Sequence, residues 1–127
     1  MIRGTVNARR EAIVPLRVRG PTAQEAMADT TLDTGYTGSL TLPAATITDL
    51  ELVGVTRRRF RLADGSVLTL PVYAVEVEWD GAWRTALVSS VGNEVLLGMT
   101  LLDGCGLRVD VISGGAVEIT PLPAATP

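Results

Sequence analysis

The fold of this chain is decided by the stretch Thr31-Leu32-Asp33-Thr34-Gly35-Tyr36-Thr37-Gly38. An apolar strand leads into Asp33, and a second apolar run leaves the turn as Ser39-Leu40-Thr41-Leu42-Pro43. Gly35 permits a backbone conformation that a β-carbon would hinder. Threonine side chains in such a turn hydrogen-bond to nearby main chain. The pattern predicts a strand that ends at Asp33, a tight loop that holds the carboxylate, and a further strand.

Length and composition indicate a compact protein. The chain has 127 residues, of which 46% are hydrophobic and 4% aromatic. This length suits one core, so we predict a single domain over residues 1–127 with a loose tail over residues 121–127. No apolar run is long enough to span a membrane, and the N-terminal residues lack the apolar block of a signal peptide. We therefore expect a cytoplasmic protein that does not bind membranes.

Two residue counts restrict the chemistry. The chain has no histidine and one cysteine, Cys105. Without histidine, Ser-His-Asp and Cys-His catalysis and most zinc sites are excluded, and one cysteine cannot form an intrachain disulfide. Hydrolytic chemistry in this chain must therefore use carboxylates, and we expect no metal and no cofactor.

The charges include one basic cluster in an acidic chain. The formal net charge is −3, and the cluster is Arg57-Arg58-Arg59-Phe60-Arg61. It suits either contact with nucleic acid or an anionic substrate, or an exposed strand whose charges alternate with core residues. The acidic balance favours the second interpretation, and we expect no nucleic-acid binding.

Two Asp-Gly pairs predict hairpins, because Asp-Gly between strand-like runs is a strong turn signal. Asp64-Gly65 separates strands over residues 55–62 and 67–77, and Asp80-Gly81 precedes a returning strand over residues 84–89. Trp79 and Trp83 flank the second turn. We expect these two rings to face each other and stabilise the hairpin, with a dimer or substrate contact as the alternative.

The remaining segments are also short and strand-like. Pro15 in the second strand indicates an edge or a bulge. We predict strands over residues 4–8, 12–19, 25–32, 107–112 and 116–119, a short helix over residues 43–50, and one or two helical turns over residues 99–103. Many short strands with one or two short helices predict an all-β fold, a small closed or nearly closed β-barrel.

Three motifs carry a resemblance to a known family. They are Leu32-Asp33-Thr34-Gly35, a hairpin with Asp64-Gly65 at its tip, and Leu96-Leu97-Gly98-Met99-Thr100-Leu101-Leu102. In this order and rough spacing the chain resembles the retropepsin-like aspartic proteases, in particular the bacterial single-domain group related to retroviral proteases. The resemblance runs from about Ala12 to Ile119 and implies a β-barrel of the acid-protease type.

The resemblance also implies roles for individual residues. Asp33 is the expected catalytic aspartate, Thr34 braces the loop across to a partner subunit, and Gly35 lets the backbone turn beneath the scissile bond. The expected flap tip over an extended peptide is Ala63-Asp64-Gly65-Ser66, and the pair packed beside the catalytic loop is Leu97-Gly98.

Two positions depart from the family pattern. Tyr36 stands where pepsin-like and retroviral enzymes usually carry Ser or Ala, and the tip is less glycine-rich than a retroviral flap. Three positions suit the Tyr36 side chain: over the catalytic loop, in a specificity pocket, or against a neighbouring subunit.

The family mechanism requires two carboxylates, and this chain has one Asp-Thr-Gly. We therefore predict a symmetric homodimer through the Asp33-Thr34-Gly35 loop. The expected activity is that of an aspartic endopeptidase, in which a water activated by two Asp33 carboxylates hydrolyses internal peptide bonds without a metal. Two alternatives are a non-catalytic peptide-binding or dimerisation module of the same fold, and a structural β-domain in which Asp33 only caps a turn.

Overall fold

The computed structural model describes residues 1–123 and shows an all-β chain whose one α-helix in that range is short. Buried and outward-facing side chains alternate along the central strands, as expected for a sheet with one face on a core. The elements are β1 (Ile2–Val6), β2 (Ala12–Arg19), β3 (Glu25–Leu32), β4 (Leu40–Thr41), α1 (Ala44–Asp49), β5 (Val53–Arg61), β6 (Val67–Trp79), β7 (Ala82–Ser89), β8 (Leu96–Leu97), β9 (Cys105–Val109) and β10 (Ala116–Pro121).

These ten strands form one sheet that returns on itself. The hydrogen-bonded order is β5-β6-β7-β4-β8-β3-β2-β1-β10-β9, and β6 also pairs with β2 through Val18 with Val77 and Arg19 with Glu76. The extra pairing joins β2, β3, β8, β4, β7 and β6 in a ring. The all-β prediction is therefore confirmed.

The hydrophobic core contains side chains from every strand of this ring and from α1. Fully buried leucines from three different segments meet in it, together with valines of β2 and β6. The least exposed large side chains include Leu40, Leu42, Leu97, Leu101, Ile119, Val14, Val18, Val75 and Val77. The loop that contains Asp33 leaves β3 at the edge of this core. Two of its neighbours, β4 and β8, are two-residue strands inside the ring.

Pro15 lies at a local edge of β2. β1 pairs with Ala12 and Ile13, and β6 pairs with Val18 and Arg19, so neither strand reaches Pro15. On the other side the register with β3 is continuous. A proline is compatible with this place because its missing N–H breaks no ladder on the open side. The edge interpretation is thus correct and the bulge is absent.

Both predicted hairpins form. In the turn between β6 and β7, Asp80 and Gly81 both have positive φ angles, of 52° and 88°, which is the type I′ geometry that matches the twist of two strands. The prediction that Trp79 and Trp83 face each other is wrong. Trp79 pairs with Ala82 and Trp83 with Glu78, so a two-residue turn places the rings on opposite faces.

The two tryptophans consequently have different surroundings. Trp79 is buried in the core. The ring of Trp83 stacks under the guanidinium of Arg19, whose Cζ lies 4.0 Å from the ring centroid. This cation–π pair holds β7 against β2 on the outer side of the ring.

Several predicted boundaries are corrected. Residues 99–103 form hydrogen-bonded turns rather than a helix, ending at Gly104 with a φ of 82°. Pro43 precedes α1 as its N-cap instead of being its first residue. Pro121 pairs with Cys105 within β10, so residue 121 does not belong to a loose tail; residues 124–127 lie outside the described residues. The first and ninth strands are Ile2–Val6 and Cys105–Val109.

The interpretation of the arginine cluster is also corrected. The four arginines of β5 are exposed on both faces of the strand, and even Phe60 is only half-buried. β5 is a terminal strand in the sheet order, paired only with β6, and the hairpin extends beyond the core. No helix in residues 1–123 is long and apolar enough to cross a bilayer.

Candidate functional site

Asp33 is held in place by three hydrogen bonds. It follows the last residue of β3, and its N–H donates to the carbonyl of Leu97 at 3.0 Å. Its Oδ1 accepts the N–H of Gly35 at 2.9 Å, and its carbonyl accepts the N–H of Tyr36 at 3.2 Å. The residue is half-buried. The carboxylate is therefore oriented by main-chain contacts while it remains open to solvent.

The Asp33 loop, residues 33–38, is bound along the turn that follows β8. The N–H of Gly98 donates to Ser39 at 2.9 Å, that of Met99 to Tyr36 at 2.8 Å, and that of Thr100 to Gly38 at 3.1 Å, in each case to the carbonyl. The Thr100 hydroxyl donates to the Thr37 carbonyl. The structure thus brings Leu97 and Gly98 directly against the loop that carries Asp33.

Tyr36 folds back over its own loop. A β-carbon on Gly98 would lie 2.6 Å from Cδ2 of Tyr36 and would overlap the carbonyl oxygen of Gly38. A β-carbon on Gly38 would overlap the tyrosine ring. Residue 98 therefore requires glycine because backbone fills the space, whereas a larger residue at position 38 would require the Tyr36 ring to move. The ring lies over the loop, as in the first of its three expected positions; a specificity pocket and a contact with a second subunit stay predictions.

Tyr36 also lines a cavity of about 70 Å³ between the Asp33 loop and the base of the β5–β6 hairpin. Burial raises the pKa of the Tyr36 hydroxyl, and the nearby positive charge of Arg58 lowers it in part. The lining residues are Tyr36, Gly38, Ser39, Arg58, Val72, Leu87, Ser89 and Thr100. The cavity thus joins a residue directly after Asp-Thr-Gly to one arginine of the cluster.

Thr34 and Gly35 lie exposed at the tip of the loop beside Asp33. No hydrogen bond joins the Thr34 hydroxyl to the part of the chain that the structure describes. Thr34 is therefore accessible to solvent directly after the half-buried Asp33.

Within residues 1–123, no hydrogen bond joins the predicted flap tip to the Asp33 loop. At the end of the β5–β6 hairpin, Asp64 Oδ1 accepts two hydrogen bonds from Ser66, one from the main-chain N–H at 2.8 Å and one from the side-chain hydroxyl at 2.6 Å. These two bonds hold the pKa of the Asp64 carboxyl below its usual range. Gly65 adopts a φ of 87°, and Ala63 completes the turn. The main-chain hydrogen bonds of the tip stay within residues 62–66.

One residue of the site was missed by sequence reasoning. Arg58 belongs to the cluster that the sequence marks as basic, but nothing local distinguishes it from Arg57 or Arg59. Its position next to Tyr36 depends on the register of β5 against β6. The alternation of side chains along a strand could have divided the arginines into two faces, without showing which face meets the loop.

Comparison with known proteins adds no assignment. No family model matches the chain, and no curated protein matches it. Within residues 1–123, no three His, Cys, Asp or Glu side chains are grouped so that they could hold a metal ion. The geometry of the Asp33 loop is therefore the main guide to function.

Proposed function

We propose that this chain is one subunit of a homodimeric aspartic endopeptidase of the retropepsin type. The observation that carries the proposal is the half-buried Asp33 carboxylate, which Gly35 orients at 2.9 Å on a loop that is bound to the turn after β8. Catalytic groups act efficiently when neighbouring contacts hold them in one geometry.

The fold supports the same proposal. The Asp33 loop lies beside β8, and the β5–β6 hairpin joins the ring of strands through β7 and β2. The three motifs therefore belong to one sheet. A small barrel of the retropepsin type is the architecture that we propose for this arrangement.

The proposed dimer supplies the second carboxylate. Asp33 is the single carboxylate of residues 33–38, and the mechanism needs two. A two-fold axis beside the exposed Thr34 would bring two Asp33 side chains together. Thr34 is available for a contact between subunits, since its hydroxyl has no bonded partner within residues 1–123.

The two carboxyls would share one proton, because two negative charges at close range repel. As in aspartic proteases generally, the ionised carboxylate removes a proton from water, and the protonated carboxyl donates a hydrogen bond to the substrate carbonyl. Water adds to the peptide carbonyl, and the amine leaves with a proton from the pair. The enzyme forms no covalent intermediate.

An extended peptide is the substrate class that the surface supports. Large apolar side chains are exposed on the hairpin, among them Val55, Leu62, Val67 and Leu68, and Met99 is exposed next to the Asp33 loop. Apolar groups concentrated at a surface indicate a binding site. A peptide lying between the hairpin and the loop would cover Met99 and the apolar side chains on the loop-facing side of the hairpin, such as Leu68.

The test is cleavage of a denatured protein mixture at several pH values between about 4 and 7, because the rate of a general acid–base reaction depends on pH. The wild type is compared with Asp33→Asn, with pepstatin as inhibitor. Asp29→Asn is the matched control, because Asp29 is an exposed aspartate on β3, the strand that leads to Asp33. We expect cleavage by the wild type and by the control, and none by Asp33→Asn. Equal cleavage by all three would refute the proposal.

A second candidate is a peptide-binding module of the same fold without hydrolysis. Tyr36 favours it, because its ring fills the space above Gly38 and Gly98 where the resembled family usually has a small side chain. A dimer that binds peptides equally well as wild type and as Asp33→Asn, and cleaves none, would establish this candidate.

A further inference from the structure

Arg58 is a cation without a carboxylate partner in the described part of the chain. The ion pairs within residues 1–123 involve Arg17, Arg19, Arg108 and the N-terminal amine. The cavity that Arg58 lines offers otherwise only hydroxyl, main-chain and apolar groups. Its guanidinium is therefore the sole formal charge among the lining residues, and nothing in the cavity neutralises it.

The strand register shows that Arg58 alone of the cluster points to this cavity. Arg58 pairs with Leu70 and Thr56 with Val72, so these residues share one face of the hairpin. Val72 lines the cavity, which identifies this face as the one towards the Asp33 loop. Arg57, Arg59 and Arg61 alternate with Arg58 and occupy the opposite face.

The size of the cavity suits a short acidic side chain. Its volume is about 70 Å³, which corresponds to about two water molecules at the roughly 30 Å³ that each occupies in the liquid. The carboxylate group at the end of an Asp or Glu side chain is of this size. A guanidinium binds a carboxylate through two parallel hydrogen bonds, and the Tyr36 hydroxyl at the same cavity is a further donor.

We propose that Arg58 and Tyr36 form a subsite that selects an acidic side chain close to the bond that is cleaved. This inference rests on the proposed function in assuming that the occupant is an extended peptide. The Tyr36 N–H is hydrogen-bonded to the Asp33 carbonyl at 3.2 Å, so the cavity adjoins the Asp33 loop, and we assign its occupant to a substrate residue near the Asp33 carboxylate. A glutamine of the same shape would lose the ionic contact with Arg58.

The test measures binding in the Asp33→Asn background, where hydrolysis is not needed. The probes are pairs of extended peptides that differ only by Glu or Gln at one position. This position is shifted along the peptide from one pair to the next. At one position we expect the Glu peptide to bind about tenfold more tightly, as for a hydrogen bond to a charged group. Adding Arg58→Gln should remove the preference. Adding Arg59→Gln, on the opposite face, should preserve it.

The outcomes separate this inference from the proposed function. Equal binding of Glu and Gln peptides, no binding of either, or an equal loss with Arg58→Gln and Arg59→Gln would overturn the subsite, even if the wild type is an active protease. If the preference for the Glu peptide depends on Arg58 but the wild type cleaves no substrate, the subsite is supported and the protease is refuted. Circular dichroism of each variant shows whether the fold is retained.

Discussion

The ring of Tyr36 occupies the space that a side chain on residue 98 would need: a β-carbon on Gly98 would lie 2.6 Å from Cδ2 of the ring. The same two segments are joined by the hydrogen bond from the Met99 N–H to the Tyr36 carbonyl at 2.8 Å. Close packing and main-chain bonding therefore act together. They fix the Asp33 loop against the segment after β8, and so position the carboxylate.

Gly98→Ala is expected to destabilise the protein by about 1–3 kcal/mol, as overpacking in a filled site does. The added carbon would overlap the Gly38 backbone, which cannot move without breaking its bond to Thr100. Urea unfolding measures the loss. Gly54→Ala is the control, since its β-carbon would meet only Tyr73 Cε1 at 3.9 Å. Equal losses from both variants would contradict this account of Gly98.

Asp33→Ala is expected to cost about 0.5–1.5 kcal/mol of unfolding free energy, because the Gly35 N–H loses its acceptor. Asp33→Asn keeps an oxygen at Oδ1 and should be markedly less destabilising. Both variants should lack peptidase activity. If chemical denaturation shows the same stability for Ala and Asn, the bond to Gly35 does not hold the loop.

Thr34→Ala is expected to weaken the proposed dimer without unfolding the subunit. The Thr34 hydroxyl is exposed beside Asp33 and bonds to nothing in residues 1–123, so its loss removes only a contact with a partner. Sedimentation velocity over a range of concentrations measures the dissociation constant. Thr37→Ala is the matched control, because the hydrogen bond from Thr100 goes to the main-chain carbonyl of Thr37, which the substitution keeps. A wild type that stays monomeric at every concentration would refute the dimer itself.

Tyr36 is expected to ionise above the usual value of 10.0, since burial raises its pKa. The unfolded chain then releases this proton at lower pH than the folded chain. Above about pH 10 the folded state holds more protons, so the free energy of unfolding decreases as pH rises through this window. Subtracting the tyrosinate absorbance of Tyr36→Phe from that of the wild type isolates the transition.

Arg58→Gln should move the Tyr36 transition to still higher pH, because the positive charge of Arg58 favours tyrosinate. Arg59→Gln should leave it in place. This titration tests the proximity of Arg58 and Tyr36 independently of any substrate. A transition unchanged by Arg58→Gln would place the arginine away from the hydroxyl.

Local features of the sequence were sufficient for much of the fold. The extent of β3 was predicted correctly as Glu25–Leu32, and the Asp64-Gly65 and Asp80-Gly81 turns set both hairpins. Such signals are reliable because a turn depends on the φ angles of two residues and not on distant contacts. The position of Leu97-Gly98 beside Asp33 was expected from the resemblance, and the structure shows the hydrogen bonds that produce it.

Helical turns and facing tryptophans were predicted less well. Residues 99–103 have an apolar pattern that suits a helix, but the segment is bound to the Asp33 loop and ends at Gly104. The faces on which Trp79 and Trp83 lie depend on the pairing across a two-residue turn, which places the two rings on opposite faces of the hairpin. The spacing of the two residues in the sequence did not show this.

By itself, the sequence determined the strands, their turns and the presence of one carboxylate in a glycine-containing loop, because each depends on neighbouring residues. Only the tertiary structure decided that β6 pairs with β2, that the Tyr36 ring fills the space at Gly98, and that Arg58 reaches the Tyr36 cavity. Arg58 is 22 positions from Tyr36 in the chain, and β5 is exposed on both faces, so no buried side selects its register. Pairing with β6 selects it, and thereby determines which arginine faces the site.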